Sequence, residues 1–302
     1  METVQLLPTR CAICQTEGNA TELYPANVDA QAFSPTVFSA RRLPDHIHYR
    51  LVRCDTCGLV RSDPVAPPEL LAELYSQSTL DYGEQIPDLK LTYGRYLSRL
   101  EDYGVSKGAL LEIGCGNGFL LEEALRQGYA VVRGVEPSHA AVASADSQVR
   151  PNIVCDIMRS GLFESEQFDA ACMFQVFDHV SDPRGLLDEC LRVLKPGGLI
   201  ICICHNITSV SARLLKDRSP IIDIEHTYLY GPETITSIFV ASGFKVRTVG
   251  PMVNTYTLRY LLRLLPVPLS PRKILNALQS YGAIAQIRLT VPLGNLFLIA
   301  QR

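Results

Sequence analysis

The stretch that decides the fold is Ala109-Leu-Leu-Glu-Ile-Gly-Cys-Gly-Asn-Gly118, followed by a helical run and then by Val131-Val-Arg-Gly-Val-Glu136. An apolar segment, a glycine-rich turn, a helix and a second apolar segment that ends in an acid predict a strand–helix–strand unit that binds a nucleoside. Glycines let the backbone of the turn approach a ligand closely. The acid at Glu136 can accept hydrogen bonds from both hydroxyls of a ribose.

The spacing of the glycines distinguishes two kinds of nucleotide site. Turns that bind a dinucleotide carry the pattern G-x-G-x-x-G. Here the residue three positions after Gly116 is Phe119. The pyrophosphate-binding turn of a dehydrogenase is therefore not indicated.

The segment Glu112–Gly118 resembles the first motif of class I S-adenosylmethionine-dependent methyltransferases, E-x-G-x-G-x-G, and the resemblance covers roughly residues 70–302. It implies an α/β fold with a Rossmann-like seven-stranded sheet, in a domain of residues 66–302. The further blocks that carry it, in the family's order, are Asn152–Asp156, Phe168–Pro183, Leu191–Ile203, Pro232–Gly243, Lys245–Val249 and Asn295–Gln301.

The resemblance also implies a site for S-adenosylmethionine. In the family, the acid that ends the third strand faces the adenine amino group, and Asp156 is at that position here. The end of the fourth strand lies at the edge of the cofactor in the family, and Gln175 is at that position here. A helix cap is the alternative for Asp156, and a surface acid is the alternative for Glu136. The residues assigned to the cofactor are Glu112, Gly114, Gly116, Gly118, Glu136, Asp156 and Gln175.

Two C-x-x-C pairs near the amino terminus predict a metal site, because each pair can direct two thiolates at one ion and tetrahedral zinc takes four such ligands. The pairs are Cys11 with Cys14 and Cys54 with Cys57. A closed set of four cysteines is typical of structural zinc. His46 and His48 lie between the pairs and leave a mixed ligand set open, and a redox pair is the other alternative. We assign residues 1–65 to a zinc-ribbon module, a start that a subset of such bacterial enzymes also has.

Composition and charge set the class of protein. The chain has 302 residues, 47% apolar and 20% charged, which is typical of a packed globular protein of about two domains. The net charge of −3 gives no general attraction to nucleic acid. The charge is uneven, since residues 234–302 carry eight cations and no acid, which leaves −11 on residues 1–233. The start of the chain lacks the pattern of a secretory signal, and no apolar run approaches the length of a membrane span. We therefore expect a cytoplasmic protein, in which the thiols are reduced.

Two histidines are candidates for the catalytic base. His179 belongs to the Asp178-His179 pair after the predicted fourth strand, where the family commonly has E-H. His226 lies in a segment, Ile222–Tyr230, that resembles the E-H-x-x-Y-F-S stretch of zinc-ribbon sugar C-methyltransferases, in which the histidine is the proposed base. Imidazole is well suited to take the acceptor's proton near neutral pH. Each histidine has a structural role as its alternative.

An insertion of about residues 255–292 separates the sixth and seventh predicted strands. It contains two short amphipathic helical patterns with basic positions, and Tyr256, Arg259, Tyr260 and Arg263 lie close together in it. We predict a lid whose cations contact the acceptor. A membrane-surface patch and an oligomer interface are the alternatives, and the oligomeric state stays open.

The predicted function is S-adenosylmethionine-dependent methylation, at oxygen, of a small molecule or of a glycan- or lipid-linked precursor. His226 is the candidate base. The alternatives are C- or N-methylation of a sugar or natural-product precursor, and a non-catalytic scaffold that binds the cofactor.

Overall fold

The computed structural model describes residues 4–28, 32–38, 46–78, 85–258, 287–292 and 294–302. A seven-stranded sheet forms the centre, in the order β10-β13-β8-β7-β4-β5-β6. Strands β8, β7, β4, β5 and β6 are parallel, and β13 runs antiparallel between β8 and β10. The strands of this sheet are β4 (Ala109–Ile113), β5 (Val131–Val135), β6 (Ile153–Val154), β7 (Phe168–Phe174), β8 (Leu194–His205), β10 (Lys245–Pro251) and β13 (Asn295–Gln301).

Helices cover both faces of this sheet, which is why its central strands are apolar on both sides. Alternate residues of a strand belong to different core clusters: Leu111 and Met173 lie on one face, Leu110 and Cys172 on the other. The first face packs against α5 and α7, the second against α2 and α3. The predicted α/β class and seven-stranded sheet are confirmed. The helices of the described residues are α1 (Pro68–Ser76), α2 (Ile86–Ser98), α3 (Phe119–Arg126), α4 (His139–Ala143), α5 (Pro183–Val193), α6 (Val210–Leu215) and α7 (Pro232–Ala241).

A second sheet joins the amino-terminal segment to a loop far along the chain. Its order is β1 (Ala20–Tyr24), β2 (Leu51–Cys54), β3 (Val60–Ser62) and β9 (Tyr228–Leu229), all antiparallel neighbours. The Tyr228 hydroxyl donates to the carbonyl of Arg10 at 2.8 Å. The fourth strand therefore comes from the predicted second domain, and the division between residues 65 and 66 stays a prediction.

The predicted insertion is described only at its two ends. Strands β11 (Asn254–Thr257) and β12 (Arg288–Val291) pair antiparallel and form its base, a two-stranded sheet that the sequence pattern did not predict. The predicted lid helices and Arg259, Tyr260 and Arg263 lie outside the described residues. None of the helices in the described ranges is long and apolar enough to cross a membrane.

Candidate functional site

A cavity of about 1380 Å³ opens at the carboxyl ends of β4, β5, β7 and β8. Ligands of α/β sheets bind at this edge, where the chain connections change direction. Pockets for one small ligand usually measure roughly 300–1,000 Å³. The cavity is thus large enough for two ligands, and both the glycine turn and a group of histidines line it. We call the part lined by the glycine turn the cofactor end and the part lined by the histidines the acceptor end.

The glycine turn adopts backbone angles that other residues rarely take. Gly114 has φ +69° and Gly116 has φ +54°, both in the left-handed region. A Cβ atom on Gly114 would lie 2.3 Å from the side chain of Val176. Gly114 and Gly116 line the cavity, whereas Gly118 lies behind them as the residue that precedes α3.

The carboxylate of Glu136 is fixed against this turn. One oxygen accepts the N–H of Gly116 at 2.9 Å, and the other accepts the N–H of Ser138 at 2.9 Å. Burial raises the pKa of Glu136, and these two hydrogen bonds oppose that effect. Carboxylate oxygens have further lone pairs, so Glu136 can still accept hydrogen bonds from a ligand in the cavity.

Two buried acceptor atoms near the turn lack a partner in the part of the chain that the structure describes. Glu112 Oε2 and Gln175 Oε1 find no hydrogen-bond donor among the described residues, and both side chains line the cavity. Burial, and then the nearby Glu136, raise the pKa of Glu112 well above its ordinary value. Buried polar atoms are nearly always hydrogen-bonded in native proteins. A ligand with a cationic donor, such as the amino group of S-adenosylmethionine, fits this pair.

Asp156 lies farther along the same wall. Its carboxylate accepts the N–H of Ile157 at 2.8 Å and forms an ion pair with Arg159 at 2.7 Å. Both partners line the cavity with it. Six of the seven residues predicted for the cofactor thus line the cavity, and the seventh, Gly118, does not.

At the acceptor end, three histidines that line the cavity surround Asp178, which follows β7, is fully buried and does not itself line the cavity. His205, at the end of β8, donates from Nδ1 to Asp178 Oδ2. The Nε2 atom of His179 lies 3.8 Å from Asp178 Oδ1, and the Nε2 atom of His226 lies 4.0 Å from Oδ2. The two histidines predicted from the sequence therefore meet around one carboxylate.

Long-range hydrogen bonds bring His226 to this position. The backbone carbonyl of Asp178 accepts the N–H of Thr227 at 2.8 Å, which ties the loop to the end of β7. From the other side, the Ser62 hydroxyl donates to the carbonyl of His226 at 2.8 Å. The loop that carries His226 is thus held between the central sheet and the amino-terminal sheet.

Sequence reasoning missed two members of this group, His205 and Tyr75. The signal for His205 was its place at the carboxyl end of a predicted strand, the edge where sites of this fold lie. Tyr75, on α1, lies with its hydroxyl 3.0 Å from Nδ1 of His179. Only the packing of α1 beside the cavity brings Tyr75 close to His179, so no sequence pattern predicts this contact.

The electrostatics of this end follow from burial and close charges. Burial acts to raise the pKa of Asp178, but the surrounding histidines, His205 first, outweigh it and hold that pKa well below its ordinary value. Burial lowers the pKa of His226. Asp223 and Glu225 are also buried and line the cavity. The described part of this end is therefore rich in imidazole and carboxylate groups, which bind hydroxyl hydrogens.

The four amino-terminal cysteines converge as a metal site requires. The sulfur atoms of Cys11, Cys14, Cys54 and Cys57 all lie within 4.8 Å of one another, and none forms a disulfide. Neither His46 nor His48 belongs to this group, and His48 Nδ1 instead donates to the carbonyl of Tyr49 at 2.8 Å. Four thiolates match the closed tetrahedral set of structural zinc.

Comparison with protein families gives a match over more than half of the chain. The sequence profile of a family described as a methyltransferase domain matches residues 82–249. That range contains the glycine turn, Asp178 with its three surrounding histidines, and the loop of His226.

Curated relatives match over shorter segments. The mitochondrial ubiquinone biosynthesis O-methyltransferase of Homo sapiens is 33% identical over 112 residues, 34% of this chain and 30% of the human protein. The ubiquinone biosynthesis O-methyltransferase of Maricaulis maris is 37% identical over 84 residues, 26% of this chain and 33% of that protein. The matched segments thus span about a third of these relatives' own lengths.

Solved structures give a broader but more distant match. The crystal structure of an S-adenosylmethionine-dependent methyltransferase from Archaeoglobus fulgidus covers 70% of this chain and 94% of its own, with a TM-score of 0.47 and 21% sequence identity.

Proposed function

The chain belongs to the methyltransferase domain family and is an S-adenosylmethionine-dependent enzyme; we propose that it methylates a hydroxyl oxygen of a small molecule or of a glycan- or lipid-linked precursor. The observation that carries this proposal is that one continuous cavity is lined by both the glycine turn and the histidines around Asp178. One end suits a nucleoside with a cationic amino group. The other suits a hydroxyl that must lose its proton.

We assign a role to each residue of the cofactor end. When bound, S-adenosylmethionine supplies a methyl group on a positively charged sulfur. We assign the ribose hydroxyls to Glu136, the amino group to Glu112 and Gln175, and the adenine amino group to Asp156. Gly114 and Gly116 keep side chains out of the way, while Gly118 sets the start of α3.

At the acceptor end, we assign removal of the acceptor's proton to His226 and His179. The Nδ1–H of His226 donates to the carbonyl of Ile221 at 2.9 Å, which leaves the lone pair of Nε2 directed at the cluster. In this role Nε2 takes the proton of the acceptor's hydroxyl as the oxygen becomes methylated, a contribution of roughly 10²–10⁴ in rate. His179 offers the second such nitrogen.

Oxygen is favoured as the methylated atom because the curated relatives are named as O-methyltransferases. Their matched segments cover only about a third of their lengths. We therefore infer from these relatives which atom is methylated, but not which substrate carries it. Asp223 and Glu225 can accept hydrogen bonds from an acceptor with several hydroxyls. This feature also suits C-methylation of a sugar, which makes it the second candidate.

The amino-terminal module has a supporting role in this proposal. We assign structural zinc to Cys11, Cys14, Cys54 and Cys57, and residues 1–65 to the module that holds the His226 loop in place. Contact with a membrane surface, a cytoplasmic location and the basic lid stay predictions, and we propose no nucleic-acid partner.

The test uses S-adenosylmethionine with a labelled methyl group and fractionated metabolite extracts as acceptors. Release of S-adenosylhomocysteine together with a labelled methyl ether is the expected result, identified by mass spectrometry and NMR. A labelled methyl group on carbon or nitrogen would replace O-methylation by one of the alternatives. Stoichiometric cofactor binding without turnover on any fraction would instead identify a scaffold.

A further inference from the structure

Within the described ranges, one oxygen of the Asp178 carboxylate has no hydrogen bond. Oδ1 finds no donor among the described residues, although the side chain is completely buried. The other oxygen is satisfied by the ring and the backbone N–H of His205. A buried carboxylate oxygen without a partner is costly, and such groups in proteins are paired with a charge or bind a metal.

Two imidazole nitrogens face this carboxylate at distances that are too long for hydrogen bonds. Nε2 of His179 and Nε2 of His226 lie 3.8 and 4.0 Å from its oxygens, whereas an N–H···O bond measures about 2.7–3.2 Å. Protonating either ring would therefore not satisfy Oδ1 in this geometry. The gap between the three groups matches the space of one ion, since metal–ligand bonds of about 2.0–2.2 Å place two ligands up to about 4 Å apart. One ligand atom from each residue lies within 4.8 Å of the others.

The outer nitrogens of both rings are held as they are in metal sites. A ligating histidine usually donates its other N–H to a carbonyl, a carboxylate or another oxygen, which fixes the ring. Nδ1–H of His226 donates to the carbonyl of Ile221 at 2.9 Å, and Nδ1 of His179 lies 3.0 Å from the Tyr75 hydroxyl. His205 holds the carboxylate itself through Oδ2, and the centroid of its ring lies 4.5 Å from that of His226.

We propose that Asp178, His179 and His226 bind a divalent transition-metal ion at the acceptor end of the cavity. Two imidazoles and one carboxylate favour such an ion over magnesium or calcium, which take mainly oxygen ligands. Three protein ligands leave a coordination position open, as in catalytic sites. His179 and His226 both line the cavity, so that position is available to the acceptor's hydroxyl.

This inference rests on the proposed function and replaces its step of proton transfer to His226 by coordination of the acceptor to a metal ion. With the ion present, His179 and His226 are ligands, and the ion makes the coordinated hydroxyl more acidic. The O–H bond breaks, its electron pair stays on oxygen and the proton passes to the buffer. The acceptor oxygen is then held as an alkoxide or phenoxide next to the cofactor end.

The test is titration of the full-length protein with Mn²⁺. Binding is measured by electron paramagnetic resonance as the loss of the signal of the free ion. Mn²⁺ prefers nitrogen and oxygen ligands and avoids four-thiolate sites, so the cysteine cluster does not contribute. We expect one equivalent for the native protein and for His139→Ala, an exposed histidine that lies outside the cluster. His179→Ala and His226→Ala should bind at least about tenfold more weakly. Cofactor affinity and circular dichroism show whether each variant is folded.

The outcomes separate the ion from the proposed function. Equal Mn²⁺ binding by the native protein and both cluster variants, or no binding by the native protein, overturns the metal site. If the native protein binds no ion, yet His226→Ala loses turnover, His226 acts as a free base and the proposed function stands. Binding of the ion without methylation of any hydroxyl acceptor supports the site and overturns the proposed function.

Discussion

The two ends of the cavity are built in different ways. The cofactor end comes mainly from one continuous unit, residues 112–138, whose turn and acid are fixed by hydrogen bonds within that unit. The acceptor end is assembled from α1, the segment after β7, the end of β8 and the loop before β9. One end thus depends on local structure and the other on long-range packing. We therefore expect perturbations of the amino-terminal sheet to damage the acceptor end first.

The largest expected effect is that of Cys54→Ser. Binding of structural zinc contributes about 10–16 kcal/mol to folding in zinc-finger peptides, so losing one thiolate should cost the module several kcal/mol. Because β3 pairs with β9, the loop of His226 should loosen with it. Zinc analysis should show loss of the ion, and limited proteolysis should show cleavage in residues 1–65. Calorimetry should show a nearly unchanged affinity for S-adenosylmethionine.

The matched control is Cys155→Ser, which removes an exposed thiol that lies outside the cysteine cluster. It should keep its zinc and its resistance to protease. If Cys54→Ser abolished cofactor binding as well, the two ends would not be separable.

Next in size is His226→Ala. Its kcat should fall by roughly 10²–10⁴, whether the ring serves as base or as ligand, because either role acts on the acceptor's proton. Affinity for S-adenosylmethionine should be unchanged, since His226 lies at the other end. Steady-state kinetics with calorimetry on the same preparation measures both, and His139→Ala is the control. A nearly native kcat would remove His226 from the chemistry.

Glu136→Ala probes the cofactor end. Loss of charge-assisted hydrogen bonds to a ribose should weaken cofactor binding by roughly 1.5–3 kcal/mol. Calorimetry measures that affinity, and Glu164→Ala, which removes an exposed acid, is the control. Unchanged affinity in Glu136→Ala would place the ribose elsewhere.

The smallest effect should come from Ser62→Ala. Its hydroxyl donates to the carbonyl of His226 in a buried contact of 2.8 Å, and a buried acceptor left unpaired costs about 1–3 kcal/mol. We expect a lower free energy of unfolding in urea and a kcat that falls severalfold at unchanged cofactor affinity. Ser98→Ala removes a similar hydroxyl-to-carbonyl bond at an exposed site and should change neither value. If both variants behaved alike, β3 would not position His226.

The difference between the ends also explains what the sequence could predict. Glycines and acids at fixed spacing predict the central sheet and the cofactor end, because the groups that meet in space are neighbours in the chain. His179 and His226 could be predicted singly from their places after strands. Their meeting around Asp178 could not, because it depends on pairing between β3 and β9, and β9 has only two residues. A two-residue strand has no alternation of apolar and polar positions to detect.

The single cavity also has a kinetic consequence. Because both ends open into one space, acceptor and cofactor are bound together when the methyl group moves, and the protein need not carry that group itself. Initial-rate plots at several fixed acceptor concentrations should therefore intersect and not run parallel. The configuration of a methyl group made chiral with hydrogen isotopes should invert once, as expected for one direct displacement.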